Sequence, residues 1–238
     1  MKKVALITGA SRGIGRALAL AFGNAGYAVG VHYHKEKAKA EDVVQQLGSD
    51  ALALECDVRD SLRVRAMIDA VIGRWGRLDV LVNNAGLTRD RTILKMTNGE
   101  WNDVIETNLT GAFWCLREAA RVMTKEKRGA IISIASIMGV RGGFGNANYA
   151  ASKAGVIALT KGAARELGRF GVTVNAVLPG FHPTDMASAL SEADRARITA
   201  EHALGRTTDL SDLARVVLEL AQNTSISGQL LNVDSRVM

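Results

Sequence analysis

The chain is predicted to fold as one α/β domain, residues 1–238, around a doubly wound parallel sheet of about seven strands with helices on both faces. Three observations predict it. Short apolar runs alternate with longer helical patterns along the chain. The short runs are apolar at nearly every position, as strands covered on both faces are. The 24 glycines punctuate the pattern, whereas proline occurs only at Pro179 and Pro183, and no repeat, low-complexity tract or linker interrupts it.

The elements follow in order. Strand Lys3–Thr8 runs through a glycine turn into helix Gly13–Ala25. Apolar runs Ala28–Tyr33 and Ala51–Cys56 flank helix Lys37–Leu47, and helix Ser61–Arg74 leads to strand Leu78–Val82. A long middle helix spans Glu100–Glu126, with Thr97-Asn98-Gly99-Glu100 spaced as a capping box at its start. Strand Ala130–Ile134, helix Ala147–Gly168, strand Thr173–Val177, helix Ser211–Gln222 and strand Gln229–Val233 complete the alternation. From Gly180 to Gly205 the pattern turns short, polar and irregular. That stretch follows a strand, so it sits at the carboxyl edge, where open α/β sheets bind ligands. It is expected to cover the substrate.

Composition narrows the function. The net charge of +6 is spread without blocks of like charge. It suits an anionic ligand or an acidic partner and not a nucleic-acid surface. Cys56 and Cys115 lie far apart, lack metal-ligand spacing and sit in apolar segments, so they read as buried, reduced thiols of a cytoplasmic protein with no metal. No run reaches the ~18 apolar residues of a membrane span, and the apolar run before Gly9 is too short for a signal segment.

Two constellations carry chemistry. In the first, Gly9, Gly13 and Gly15 stand between a strand and a helix. Glycine lets the turn tighten and a pyrophosphate approach the backbone, and the helix start offers free N–H groups and a positive dipole end. In the second, Tyr149 and Lys153 are four residues apart on a helix and share a face, with Ser136 upstream. A free phenol has a pKa near ~10. A lysine charge beside it favours the phenolate and brings the group towards working range. The serine hydroxyl can hold a carbonyl oxygen beside the phenol.

Thr8-Gly-x-x-x-Gly-x-Gly15, Asn83-Asn-Ala-Gly86, Asn108, Ser136, Tyr149-x-x-x-Lys153 and Pro179-Gly180 together resemble the short-chain dehydrogenase/reductase family, in its order and spacing, from Lys3 to about Val233. The resemblance implies a Rossmann-like fold and a role for each position. Tyr149 would protonate the carbonyl oxygen during reduction. Lys153 would lower the tyrosine pKa and hold the nicotinamide ribose. Ser136 would orient the carbonyl, and Asn108 would support a proton-relaying water. Gly9, Ser11, Gly13, Ile14 and Gly15 would cradle the phosphates, and Asp57 and Val58 would border the adenine. Asn84, Ala85 and Gly86 would line the cofactor trough, and Pro179, Gly180 and His182 would adjoin the nicotinamide.

Charge argues the cofactor. The second strand ends Val31-His-Tyr-His-Lys35, with no acid before Glu36 to hold a ribose 2′-OH. Arg12 adds a positive group at the turn. NADP(H) is therefore expected, with Arg12 and His34 nearest the 2′-phosphate and Lys35 a further candidate.

Within the family, the strings Trp101–Leu109, Ala147–Gly155 and Pro179–Met186 resemble reductases of β-ketoacyl groups on acyl carrier protein. The implied activity is NADPH-dependent reduction of a β-ketoacyl thioester to the 3-hydroxyacyl form in fatty acid synthesis. The alternatives are oxidoreduction of another small ketone or alcohol and, more remotely, non-catalytic cofactor binding. Cations end two helices, at Lys125, Lys127 and Arg128 and at Arg165 and Arg169. They suit helix C-termini in any case, and the resemblance makes Lys127 and Arg169 the expected dock for the acidic carrier protein, Lys127 matching best and Phe170 standing where a second basic residue is usual. It also implies a homotetramer, paired through the middle helix and the Tyr149 helix. Two positions depart from the family pattern: His182, where an aliphatic residue is usual, and Asp234-Ser235-Arg236, which replaces a glycine-rich end.

Overall fold

The computed structural model describes residues 2–182 and 191–237. Its seven strands are β1 Val4–Ile7, β2 Ala28–Tyr33, β3 Ala51–Glu55, β4 Val80–Asn83, β5 Gly129–Ile134, β6 Val172–Leu178 and β7 Leu230–Asn232. They form one parallel sheet in the order β3-β2-β1-β4-β5-β6-β7. The order reverses between β1 and β4, and the crevice at their carboxyl ends is where such sheets take ligands.

Helices α1 Gly13–Asn24, α2 Lys37–Leu47, α3 Ser61–Trp75, α4 Asn98–Ile105, α5 Gly111–Glu126, α6 Met138–Arg141, α7 Ala147–Leu167, α8 Glu192–Ala200 and α9 Leu210–Gln222 cover the sheet. Alternate residues of one strand feed opposite cores, as the pleat requires. Ala5 and Ile7 of β1 pack with Leu18 and Phe22 of α1 and with Leu213 and Val217 of α9. Val4 and Leu6 pack on the other face with Ile68 of α3 and Met123 of α5. Both faces are thus sealed, which is why the strands carry no polar alternation.

Three features differ from the sequence expectation. The middle helix is interrupted by a π-helical turn at Glu106–Thr110, between α4 and α5. Its start agrees: Thr97 and Glu100 exchange hydrogen bonds in a capping box. A four-residue helix, α6, follows Ser136, and the polar stretch after Gly180 contains α8, capped by Ser191. No residue of α8 is buried, so it presents no apolar stripe to read. The rest of the expected covering segment, residues 183–190 with Pro183, lies outside the described residues.

Candidate active site

The glycine turn is built by interlocking backbones. Gly9 and Gly13 adopt φ of +65° and +54°, a region costly for other residues. A Cβ on Gly15 would lie 2.2 Å from the Gly9 carbonyl oxygen and 2.5 Å from Asn84 Nδ2. Thr8 Oγ1 accepts from the N–H groups of Asn84 and Ala85 at 2.9 and 3.0 Å. Asn84 Nδ2 donates back to the carbonyl oxygens of Thr8 and Gly9 at 2.9 and 3.1 Å. Asn84 therefore shapes the turn with its amide as well as lining the groove. Among the described residues no side chain caps α1, and its first turn has no acid. Its N–H groups and dipole face the groove.

That groove, about 500 Å³, is lined by the sequence-expected residues Gly9, Ser11, Arg12, Gly13, Ile14, Gly15, His34, Asp57, Val58, Asn84, Ala85 and Gly86. Lys35 joins them, as does Glu36. Arg59 also lines it and belongs to no motif of the sequence. It bonds Asp57 through Nε and Nη2, the latter at 2.7 Å, and holds that carboxyl down at about 2. Asp57 Oδ2 is also 3.7 Å from His34 Nε2. Arg59 offsets the acid that faces His34, and Arg12, Lys35 and Arg89 set cations at the mouth beside the acids Glu36 and Asp103. An uncapped helix start, a glycine floor that a Cβ would fill and this basic rim fit a phosphorylated dinucleotide.

The strand β5 and helix α7 bring the other expected residues together. Ser136 follows β5, accepts from the Met138 N–H at 3.2 Å and shares a hydrogen bond with the Tyr149 hydroxyl. Lys153, 6 % exposed, lies 5.6 Å from the centre of the Tyr149 ring and donates from Nζ to the Ile134 carbonyl at 2.6 Å. Asn108 sits in the π-helical turn, buried. Its Oδ1 accepts from the Leu87 N–H at 2.8 Å, and its Nδ2 donates to the Leu87 carbonyl at 2.9 Å and to Ser152 Oγ at 3.2 Å. Ser152 donates in turn to the Tyr149 carbonyl at 2.7 Å. π-Helical turns recur at functional sites because they re-aim a side chain within a helix. Leu87, through its backbone, Ser152, through its hydroxyl, and Gly139, which packs on Lys153, support the site without a sequence signal of their own.

The electrostatics correct one expectation. Lys153 does not bring Tyr149 into range in the chain alone. Burial pushes the phenol up, the Ser136 bond only opposes this, and Asp90 adds to it. Lysine itself moves: burial lowers it to about 8. Both groups are desolvated, and desolvation penalises whichever form is charged.

Pro179 and Gly180 follow β6 beside this group, Gly180 at φ +87° against Asp234 and Thr208. His182 is buried, with Nε2 2.7 Å from the Pro179 carbonyl oxygen and a second bond to the Thr208 backbone, which holds its ring against the chain. Lys127 caps α5 just before β5, and Arg169 stacks on Phe170 just before β6. Gly171 abuts the Lys127 carbonyl, which brings the two basic turns together. They lie at the amino edge of the sheet. Ser136 stands at the carboxyl edge, about 20 Å away along β5.

Among the described residues, no group of three or more His, Cys, Asp or Glu could hold a metal, and no helix is long and apolar enough to cross a membrane. The family model for short chain dehydrogenases matches residues 3–195. The 3-oxoacyl-[acyl-carrier-protein] reductase FabG of Staphylococcus aureus is 47% identical over 98% of this chain and 97% of its own length. The FabG of Escherichia coli K12 is 41% identical over 98% and 96%. Among solved structures, a single-residue variant of the actinorhodin polyketide ketoreductase with NADPH superposes with a TM-score of 0.91 at 36% identity, covering 98% of this chain and 96% of that one. The chain belongs to the short chain dehydrogenase family.

Proposed function

We propose that the chain is an NADPH-dependent 3-oxoacyl-[acyl-carrier-protein] reductase, which converts a β-ketoacyl thioester to the 3-hydroxyacyl form in fatty acid synthesis. The observation that carries the reading is the meeting of Ser136, Tyr149 and Lys153 beside a groove with a glycine floor and a basic rim. The names of the relatives support the substrate.

The reduced nicotinamide, when bound, supplies hydride. The chain supplies position and proton. Gly9, Ser11, Gly13, Ile14, Gly15, Ala85 and Gly86 hold the dinucleotide, Asp57 and Val58 its adenine end, and Arg12, His34 and Lys35 its 2′-phosphate. Pro179 and Gly180 wall the far end. Ser136 Oγ orients the ketone oxygen. Burial keeps the Tyr149 phenol protonated, so its hydroxyl is ready to give its proton to that oxygen as charge develops there. The Lys153 ammonium then stabilises the phenolate left behind and also holds the nicotinamide ribose. Asn108 fixes Leu87 and Ser152 and supports the water that returns protons to Lys153.

One domain spans residues 1–238, works in the cytoplasm and covers its substrate with the stretch near 180–205. Four copies assemble. Phe113 is 37 % exposed and leans on Trp114 under Arg117, and Trp101 is 41 % exposed. These exposed apolar side chains on the middle helix support its pairing, together with α7, between copies. Lys127 and Arg169, at the amino edge, dock the acidic acyl carrier protein by charge complementarity.

The test is NADPH oxidation with acetoacetyl-acyl carrier protein and acetoacetyl-CoA, beside NADH controls. Fast turnover with NADPH that favours the carrier-linked thioester is expected. Cofactor binding with no turnover of either thioester would overturn the reading in favour of another carbonyl substrate.

A further inference from the structure

We propose that His32 is a positioning residue that sets the phosphate turn of the NADP(H) groove. The inference rests on the reading of that groove as a dinucleotide site. His32 lies in β2 and is 2 % exposed. Its Nδ1 accepts from the Gly9 N–H at 2.8 Å. Its Nε2 lies 2.9 Å from the Cys56 carbonyl oxygen. Its own carbonyl accepts from the Ala10 N–H at 2.8 Å. One residue thereby joins the carboxyl ends of β1, β2 and β3, and the loops after those ends carry Gly9, His34 and Asp57.

The partners dictate the protonation state. A carbonyl oxygen only accepts, so Nε2 carries the hydrogen. A backbone N–H only donates, so Nδ1 is bare. Both bonds therefore exist in one neutral tautomer. Burial favours that form and lowers the ring to about 4, with His34 adding to the shift and the Cys56 carbonyl and Asp57 opposing it. A second proton would set N–H against N–H at Gly9 and push the turn from its place. The turn has little room to move toward Ala85: a Cβ built on Gly9 would stand only 3.0 Å from Ala85 Cα.

Ser136 follows β5 and Tyr149 and Lys153 sit on α7, two strands beyond β1, so the effect falls on cofactor affinity and not on the chemical step. An apolar replacement would strand the Gly9 N–H and the Cys56 carbonyl without partners. His32→Leu should weaken NADPH binding about tenfold, the usual consequence of leaving a buried polar group unsatisfied. KM for NADPH should rise accordingly, with kcat at saturating NADPH retained. His32→Asn should recover part of the affinity, because its amide offers both an acceptor and a donor.

The experiment is a fluorescence titration of NADPH into the full-length wild type and both variants, with no acyl substrate present. Equal dissociation constants in wild type and His32→Leu would overturn the proposal. If His32→Leu does not fold, the titration follows wild type and His32→Asn as pH falls from the ordinary histidine value of 6.5 to about 4. Affinity should fall more steeply in wild type, since His34 and Asp57 are common to both, and parallel profiles would overturn the proposal. A chain that binds NADPH yet reduces no thioester would overturn the functional reading and leave His32 its role.

Discussion

Gly139 lies directly on Lys153: a Cβ built on the glycine would stand 2.7 Å from the lysine's carbonyl carbon and 2.7 Å from the backbone nitrogen of Ala154. Helix α6 therefore rests on the turn of α7 that carries the ammonium. Gly139→Ala must part the two helices, and misplacing a reacting group by about 1 Å costs on the order of a hundredfold in rate. The expected result is a kcat reduced by that order with NADPH affinity kept. Steady-state kinetics beside a binding titration check it, and an unchanged kcat would show that α6 yields freely.

Lysine at about 8 sets a pH limit. Its charged form is present below that value and is lost as pH rises through it. Tyr149 moves the other way and stays protonated over the same range. The kcat/KM for reduction, which reports the free enzyme, should fall on the alkaline side near pH 8. A profile flat well beyond that point would refute the assignment. Tyr149→Phe should lose roughly 10²–10⁴-fold in kcat, the usual worth of a general acid, with the fold and cofactor binding intact.

Carrier docking predicts a split between substrates. Lys127→Glu with Arg169→Glu reverses two charges far from Ser136. The apparent KM should rise for a carrier-linked β-ketoacyl substrate and stay put for a small ketone. Equal effects on both would exclude docking at these turns.

The unusual tail predicts a stability cost. Asp234 is almost fully buried and pairs with Arg236 Nη2 and Nε at 2.5 and 2.7 Å, with His202 Nε2 3.7 Å away. Arg236→Ala leaves a buried carboxylate without its main partner, which costs about 3–5 kcal/mol. Urea unfolding should show that loss. Arg236→Ala with Asp234→Ala removes the stranded charge and should recover part of it.

The sheet is legible in the sequence because burial on both faces writes itself as apolar runs, and all seven strands fall within two residues of their expected ends. The glycine turn and the Ser136, Tyr149 and Lys153 group are legible because they are strings with fixed spacing. The remainder hides for particular reasons. The π-helical turn at Asn108 uses ordinary helix residues and differs only in which carbonyl each N–H meets. The sequence leaves His182 open between a ligand contact and packing, and its hydrogen bonds to Pro179 and Thr208 appear only in the fold. His32, amid the apolar residues of β2, reads as core. The Tyr149 shift depends on desolvation, which no spacing records.

Asn84 carries a consequence for how a cofactor meets this chain. Its amide is bound to Thr8 and Gly9, and Thr8 is bound back to Asn84 and Ala85. The phosphate turn is therefore fixed when β1 and β4 come together during folding. Conformational entropy that a floppy loop would surrender on binding is already gone. The cofactor finds a shaped cradle, and at this turn its arrival is governed by encounter and desolvation of its phosphates, because the phosphate turn itself is already ordered.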